Sequence, residues 1–181
     1  MADGAGLPQR ARLTEALART RVPLGFVAAC AALILAQPTW DSWRAGLLLA
    51  AAGEAMRVWA AGHLEKGREV TRSGPYGWTA HPLYVGSGIM ALGVIVASRS
   101  VIVAVLTVAY VGATFTAAVR TEEAFLRRQF GDTYDRYRQS RAEPMARRFS
   151  VARARRNREH RAIVGLAAGF ALLALKILGN L

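Results

Sequence analysis

The stretch Arg72–Gly88, RSGPYGWTAHPLYVGSG, joins a polar turn directly to a long apolar run. Gly74-Pro75 is a turn signal, because glycine tolerates positive φ and proline holds φ near the turn value. Pro82 stands where a helix begins, at a first-turn position whose missing N–H leaves no bond unmade. His81 is therefore at a helix mouth, beside backbone donors and the positive end of the helix dipole. Tyr84, three residues on, projects from the same face as His81. Gly86 and Gly88 let another group lie close to the backbone. An imidazole, a phenol and two glycines at such an entrance point to a ligand site. The plainer alternative is a loop followed by a helix with small packing residues.

Outward from that stretch, the 181-residue chain is 53% hydrophobic and carries a formal charge of +12. Five apolar runs stand out: Val22–Ala36, Trp43–His63, Leu83–Ser98, Val101–Val119 and Ala162–Leu178. A membrane-crossing helix needs about 20 mostly apolar residues. The second and fourth runs reach that length, and the others are shorter and would recruit flanking residues. The expected fold class is all-α: one domain over 1–181, a polytopic membrane helical bundle of about five transmembrane helices. Segments 64–82 and 120–161 are expected on the cytoplasmic side, where they carry the ligand site and include an amphipathic helical segment.

With the N-terminus inside and every run crossing, 20 of the 24 basic residues fall on one face of the membrane. The positive-inside rule then makes that face cytoplasmic. The Ala- and Arg-rich composition, with no eukaryotic targeting signal, suggests a bacterial inner membrane. The first run has the basic-then-apolar shape of a signal peptide, but retaining it keeps the charge alternation consistent. Cys30 is the single cysteine, so neither an internal disulfide nor a thiolate metal site can form. No metal site is expected.

Within the second run, Glu54 and Arg57 stand at i and i+3. Charges at that depth face a partner, a cavity or a bundle interior; mutual pairing and a polar pocket are both open. Trp40 and Trp43 suit the interfacial aromatic belt, and His63 reads as an interfacial residue. Only Arg99 and Ser100 separate the third and fourth runs, which predicts a tight antiparallel hairpin. Ser87, Gly88, Ala91 and Gly93, facing Gly112, Thr114 and Ala117, would let its two helices pack closely. Leu126, Phe130, Tyr134 and Tyr137 follow at helical steps and predict one apolar, aromatic helix face. The adjacent Glu122-Glu123 pair is either a solvated helix surface or a site for a cationic ligand. Met145–Arg161 holds seven Arg and one acid, Glu159. It reads as an amphipathic surface helix on anionic lipid headgroups, with Lys176 of the last run snorkelling outward. Nucleic acid is not an expected partner, because topology accounts for the charge and Phe149 is the only aromatic among it.

Three motifs now stand in order: HPxYxG at 81–86, Glu-Glu at 122–123, and FGxxYxxY at 130–137, followed by Pro144. This pattern resembles the isoprenylcysteine carboxyl methyltransferase and phospholipid methyltransferase superfamily of integral membrane enzymes, over about Gly53–Pro144. The resemblance implies S-adenosyl-L-methionine as cofactor, with Gly86-Ser87-Gly88 and Glu122-Glu123 matching the family's GxG and Glu-Glu. The family commonly has Arg directly before His-Pro, where this chain has Ala80; that role is absent or falls to Arg72 or Arg120.

The residues suit such a ligand. Glu122 or Glu123 can face its cationic groups, Arg120 its carboxylate, and Tyr84, Tyr134 or Tyr137 its adenine or sulfonium. The cofactor-binding set expected is Tyr76, His81, Pro82, Tyr84, Gly86, Gly88, Glu122, Glu123, Tyr134 and Tyr137. The catalytic set expected is Arg57, Arg120 and Glu123. The expected function is methyl transfer to a lipophilic or prenyl-like acceptor drawn from the bilayer, isoprenylcysteine carboxyl O-methylation first and phospholipid amine N-methylation second. A catalytically inactive scaffold binding anionic lipid is the alternative of a different class. A sterol-reductase-type reading shares the His-Pro helix entrance, but the Glu-Glu pair speaks against it.

Overall fold

A computed structural model describes residues 25–143 and 145–179, and all regular structure among them is helical. The expected surface segment over 1–21, the start of the first apolar run and Pro144 lie outside the described residues. Seven α-helices follow one another: α1 (Gly25–Leu35), α2 (Trp40–His63), α3 (Pro82–Ser98), α4 (Val101–Phe130), α5 (Asp132–Arg138), α6 (Val151–Arg156) and α7 (Glu159–Gly179). A short 3-10 turn, Gly74–Gly77, precedes α3.

Local chemistry sets the helix ends. Thr39 and Ser42 form a reciprocal capping box at the start of α2, with Thr39 N–H donating to Ser42 Oγ at 3.0 Å. Pro82 occupies the first turn of α3 with His81 as its N-cap. Arg99 adopts a left-handed conformation (φ 48°) and Ser100 caps α4. That two-residue link makes α3 and α4 the expected hairpin.

The closest packing lies elsewhere than predicted. A Cβ on Gly46 would stand 2.4 Å from the Gly93 carbonyl oxygen, and one on Gly53 2.5 Å from that of Gly86. Gly46, Ala50 and Gly53 share one face of α2, so its backbone rests directly on Gly86, Gly93 and Ala97 of α3. By contrast, a Cβ on Gly88 or Gly112 would meet nothing within 4 Å. Small residues thus seal α2 against α3, and the α3–α4 interface is looser.

Length and composition support two of the five expected crossing helices. Among the described residues, only α4 and α7 are both long and apolar enough to cross a membrane. The 24 residues of α2 are long enough but include Asp41, Arg44, Glu54 and Arg57. The 17 residues of α3 and the described part of α1 are short. At 30 residues α4 is about 45 Å long, more than the roughly 30 Å hydrocarbon layer. Its apolar part, residues 101–119, is long enough to match that layer, and its charged remainder follows as a polar extension.

Helix α7 closes the bundle. Phe170 and Leu173 join Ala36, Ala50 and Ala97 in a small core, and Trp43 Nε1 donates to the Phe170 carbonyl at 2.8 Å. Lys176 does not snorkel away; its Nζ donates to the Leu33 and Ile34 carbonyls at 2.9 and 2.7 Å, capping the end of α1.

Two further expectations change. Gly131, at φ 46°, breaks the single aromatic-faced helix into α4 and α5. The Arg-rich segment is not one free amphipathic helix but a clamp on the end of α2. Arg147 makes a bidentate pair with Glu69 at 2.5 and 2.8 Å, and Arg156 reaches Glu65 at 2.9 Å. Arg153 Nε and Asn157 Nδ2 donate to the Gly62 and Ala61 carbonyls at 2.8 and 2.9 Å. These bonds satisfy carbonyls that every helix terminus leaves open. Arg148, Arg155, Arg158 and Arg161 remain exposed.

Candidate functional site

A cavity of about 710 Å³ lies where the 64–71 loop, the mouth of α3, the polar end of α4 and α5 converge. Its walls bring together Arg57, Tyr76, Ala80, His81, Pro82, Tyr84, Ser87, Glu122, Tyr134 and Tyr137, with Phe115, Phe125 and Leu126 as apolar partners. Eight of the residues predicted from sequence therefore share one lining. That volume is in the range of a site for a drug-sized ligand.

His81 owes its position to Pro82, which starts α3 and leaves the imidazole at the helix mouth. Its Nε2 stands 3.1 Å from Glu123 Oε1, on α4. Glu123 does not line the cavity but braces it from behind, because Arg138 and Arg127 also approach its carboxylate at 3.3 and 3.8 Å. Burial pushes this carboxyl upward, and the His81 bond with the Arg138 and Arg127 charges outweighs that, holding it below the usual carboxylate range. Its neighbour Glu122 faces the cavity.

The aromatic wall is layered. His81 and Tyr84 meet edge-on with centroids 5.8 Å apart, and Tyr84 meets Phe115 at 5.2 Å. Tyr137 donates its hydroxyl to the Tyr76 carbonyl at 2.7 Å, fastening α5 to the 3-10 turn. Burial, then the Tyr134 neighbour, pushes the Tyr137 phenol up to about 12. Burial likewise raises the Tyr76 and Tyr134 phenols, with Glu122 and Glu123 respectively as the next cause. Tyr134 is 1% exposed, and its hydroxyl has no hydrogen-bond partner among the described residues. A buried donor left without a partner is costly.

Arg57 enters from α2. It pairs with Glu54 at 3.6 Å, as the spacing predicts, but its tighter partner is Glu159 of α7 at 2.5 Å. It also bonds the Ser87 hydroxyl, which donates in turn to the Leu83 carbonyl at 2.8 Å. Sequence reasoning missed Glu159; the signal was there, as the lone acid in an Arg-rich run.

The other expected residues fall outside the lining. Gly86 is occupied by helix packing, since a Cβ there would stand 2.7 Å from both Arg57 Cγ and the Gly53 carbonyl oxygen. Gly88 faces open space. Arg120 is exposed on α4. Ala80 does line the cavity, and the cations sharing its lining are Arg57, Lys66 and Arg128 rather than Arg72 or Arg120.

Among the described residues, fold and site together define an all-helical arrangement with two helices of membrane-crossing character and a polar, aromatic cavity at the charged end of one of them. Residues 48–133 match the phospholipid methyltransferase family model. Over that stretch, just under half of its length, the chain is similar to the phospholipid methyltransferases, a family whose members are generally methyltransferases. It is also similar to the cobalt-zinc-cadmium resistance protein CzcN of Cupriavidus metallidurans, 35% identical over 121 residues. That similarity covers 61% of this chain and 54% of CzcN, so the chain spans about half the length of the curated relative it matches. No solved structure matches.

Proposed function

We propose that this protein is a membrane methyltransferase that uses S-adenosyl-L-methionine and acts on a lipophilic acceptor. The observation that carries the reading is the single cavity lined by His81, Glu122, Tyr134 and Tyr137, residues from three separate motifs. The lining suits that cofactor: a carboxylate for its cationic groups and aromatic rings for its adenine. When bound, it supplies a methyl group already activated on a sulfonium.

The residues then have defined work. Glu122 attracts positive charge into the cavity. Glu123, with Arg127 and Arg138 behind it, holds His81 at the entrance. Tyr84, Phe115 and Tyr137 restrict how a flat ligand lies, and Phe125 and Leu126 exclude water. Such alignment in a low-dielectric site supplies most of the rate in a displacement whose leaving group needs no help.

Isoprenylcysteine-type carboxyl O-methylation is the first acceptor reading, supported by the motif order. Phospholipid amine N-methylation is the second, favoured by the family match over residues 48–133. We further infer that the cavity opens to the cytoplasm of a bacterial inner membrane. The exposed Arg148, Arg155, Arg158 and Arg161 would meet anionic headgroups there.

The test is calorimetric titration of S-adenosylhomocysteine into the detergent-purified protein, with Glu122→Gln and His81→Ala alongside. Micromolar-range binding by the wild type, weakened by both changes in folded protein, supports the reading. A folded wild type that binds anionic liposomes but not S-adenosylhomocysteine would overturn it in favour of a lipid-binding scaffold.

A further inference from the structure

The charged groups of the main cavity are not equally free to meet a ligand. Arg57 is offset twice over, by Glu159 at 2.5 Å and Glu54 at 3.6 Å. The lining holds two further side chains of fixed positive charge, Lys66 on the 64–71 loop and Arg128 near the end of α4. Both are exposed, and neither makes an ion pair among the described residues, although Arg127, Arg138, Arg147, Arg153 and Arg156 around them all do. Glu122, the acid facing them in the lining, is half-buried and likewise makes no ion pair there. Glu69, the other acid of the lining, is taken by Arg147.

The fold gathers these three groups at one end of the cavity. Gln129 Nε2 donates to the Gly67 carbonyl at 2.8 Å and ties the loop to α4. Lys66 precedes Gly67 and Arg128 precedes Gln129, so that one bond brings both cations to the same rim. Arg128 Nε donates to the Ala124 carbonyl at 3.2 Å, which folds the guanidinium back one turn toward Glu122. It makes no ion pair with that carboxylate, so a gap remains between them. An open carboxylate across a gap from two open cations is complementary to a zwitterion, ammonium toward the acid and carboxylate toward the cations. The head of an α-amino acid carries that pattern.

We propose that Lys66 and Arg128 form a subsite for the α-carboxylate in the amino-acid tail of S-adenosyl-L-methionine, opposite Glu122. The proposal rests on the methyltransferase reading and deepens it. It moves the carboxylate contact away from Arg120, which lies outside the lining, and away from Arg57, whose charge is already offset. A guanidinium offers paired N–H donors and an ammonium a mobile point charge, so together they hold a carboxylate without enclosing it. The cavity therefore separates ligands that carry the tail from ligands that carry adenosine alone.

The experiment titrates S-adenosylhomocysteine and methylthioadenosine calorimetrically into the full chain in non-ionic detergent. Methylthioadenosine keeps the adenosine and the thioether and lacks the amino-acid tail. Lys66→Gln, Arg128→Gln and the double variant are compared with wild type and with Arg68→Gln. Arg68 is exposed on the same loop but outside the lining, so its loss removes an equal charge without touching the subsite. Each single variant should weaken S-adenosylhomocysteine binding about fivefold, and the double variant more than about tenfold. Methylthioadenosine affinity should stay within about twofold of wild type throughout, as should both affinities in Arg68→Gln. Unchanged S-adenosylhomocysteine binding by the folded double variant overturns the proposal and leaves the methyltransferase reading standing. Equal losses for both ligands, or an equal loss in Arg68→Gln, would mean diffuse electrostatic attraction and overturn it as well. Glycerol phosphate, a soluble lipid-headgroup phosphate, is the third probe. If the double variant loses glycerol phosphate but keeps S-adenosylhomocysteine, the two cations serve a lipid phosphate and the proposal falls. A wild type that binds neither adenosine ligand overturns the proposal and the methyltransferase reading together.

Discussion

His81 Nε2 lies 3.1 Å from Glu123 Oε1, so the residue that opens α3 is held against the charged end of α4 across 42 positions of sequence. The pair is half-buried and is reinforced by Arg138 and Arg127. A charge-assisted bond in such a setting is worth on the order of 1–2 kcal/mol. His81→Ala and Glu123→Gln should each lower S-adenosylhomocysteine affinity, and the double variant should lose less than the sum. A double-mutant cycle on the calorimetric affinities reads this; strict additivity would mean that the two side chains act independently.

Acid should loosen the strap around the cavity loop. Glu69 is held below the usual carboxylate range, chiefly by its hydrogen bonds to Arg147, with burial opposing. Its carboxyl therefore ionises at lower pH in the folded protein than in the unfolded chain. That contribution is complete above the ordinary carboxylate pKa of roughly 4.3 and disappears as pH falls through the lowered folded value. Thermal unfolding from neutral pH into the acid range should show Glu69→Gln less stable by about 1 kcal/mol at neutral pH, with the gap closing in acid. A gap that widens in acid would sink this account.

Two tyrosines three residues apart should behave oppositely on truncation. Tyr137→Phe removes a 2.7 Å bond to the Tyr76 carbonyl and should cost about 1 kcal/mol of stability. Tyr134→Phe removes a hydroxyl that has no partner among the described residues, so the melting temperature should hold or rise. Ligand affinity should stay close to wild type in Tyr134→Phe, because that hydroxyl is shielded from the cavity and the ring that lines it is kept. Parallel melting and S-adenosylhomocysteine titrations separate the two effects.

The α2–α3 crossing should tolerate no added methyl group. Gly46→Ala and Gly53→Ala put a Cβ 2.4–2.5 Å from a backbone carbonyl oxygen of α3, and overpacking of this kind costs about 1–3 kcal/mol. Gly112→Ala meets nothing within 4 Å and should be neutral or slightly stabilising through helix propensity. Comparable melting losses for Gly46 and Gly112 would remove the crossing from its place at the centre of the fold.

Much of this was legible in the chain itself. Pro82 and the Gly74-Pro75 turn foretold the His81 helix mouth, and Arg99-Ser100 foretold the α3–α4 hairpin. The family resemblance grouped His81, Tyr84, Glu122, Tyr134 and Tyr137, and all five line one cavity. Local features such as fixed φ, capping side chains and hydrophobic period act within a few residues, and sequence order displays them directly. Where a local signal had two readings, as with the small residues of α3, the wrong partner helix was chosen.

The remainder depended on which faces meet in space. Sequence by itself determined an all-helical chain with apolar spans, a turn before His81 and an Arg-rich segment near the end. Tertiary structure alone decided that Gly86 packs on Gly53, that Arg120 stays outside the cavity, that Glu123 braces rather than lines it, and that Glu159 answers Arg57. A charge buried in a helix bundle must find its counter-charge wherever the fold brings one, and the partner's position along the chain carries no mark of that distance.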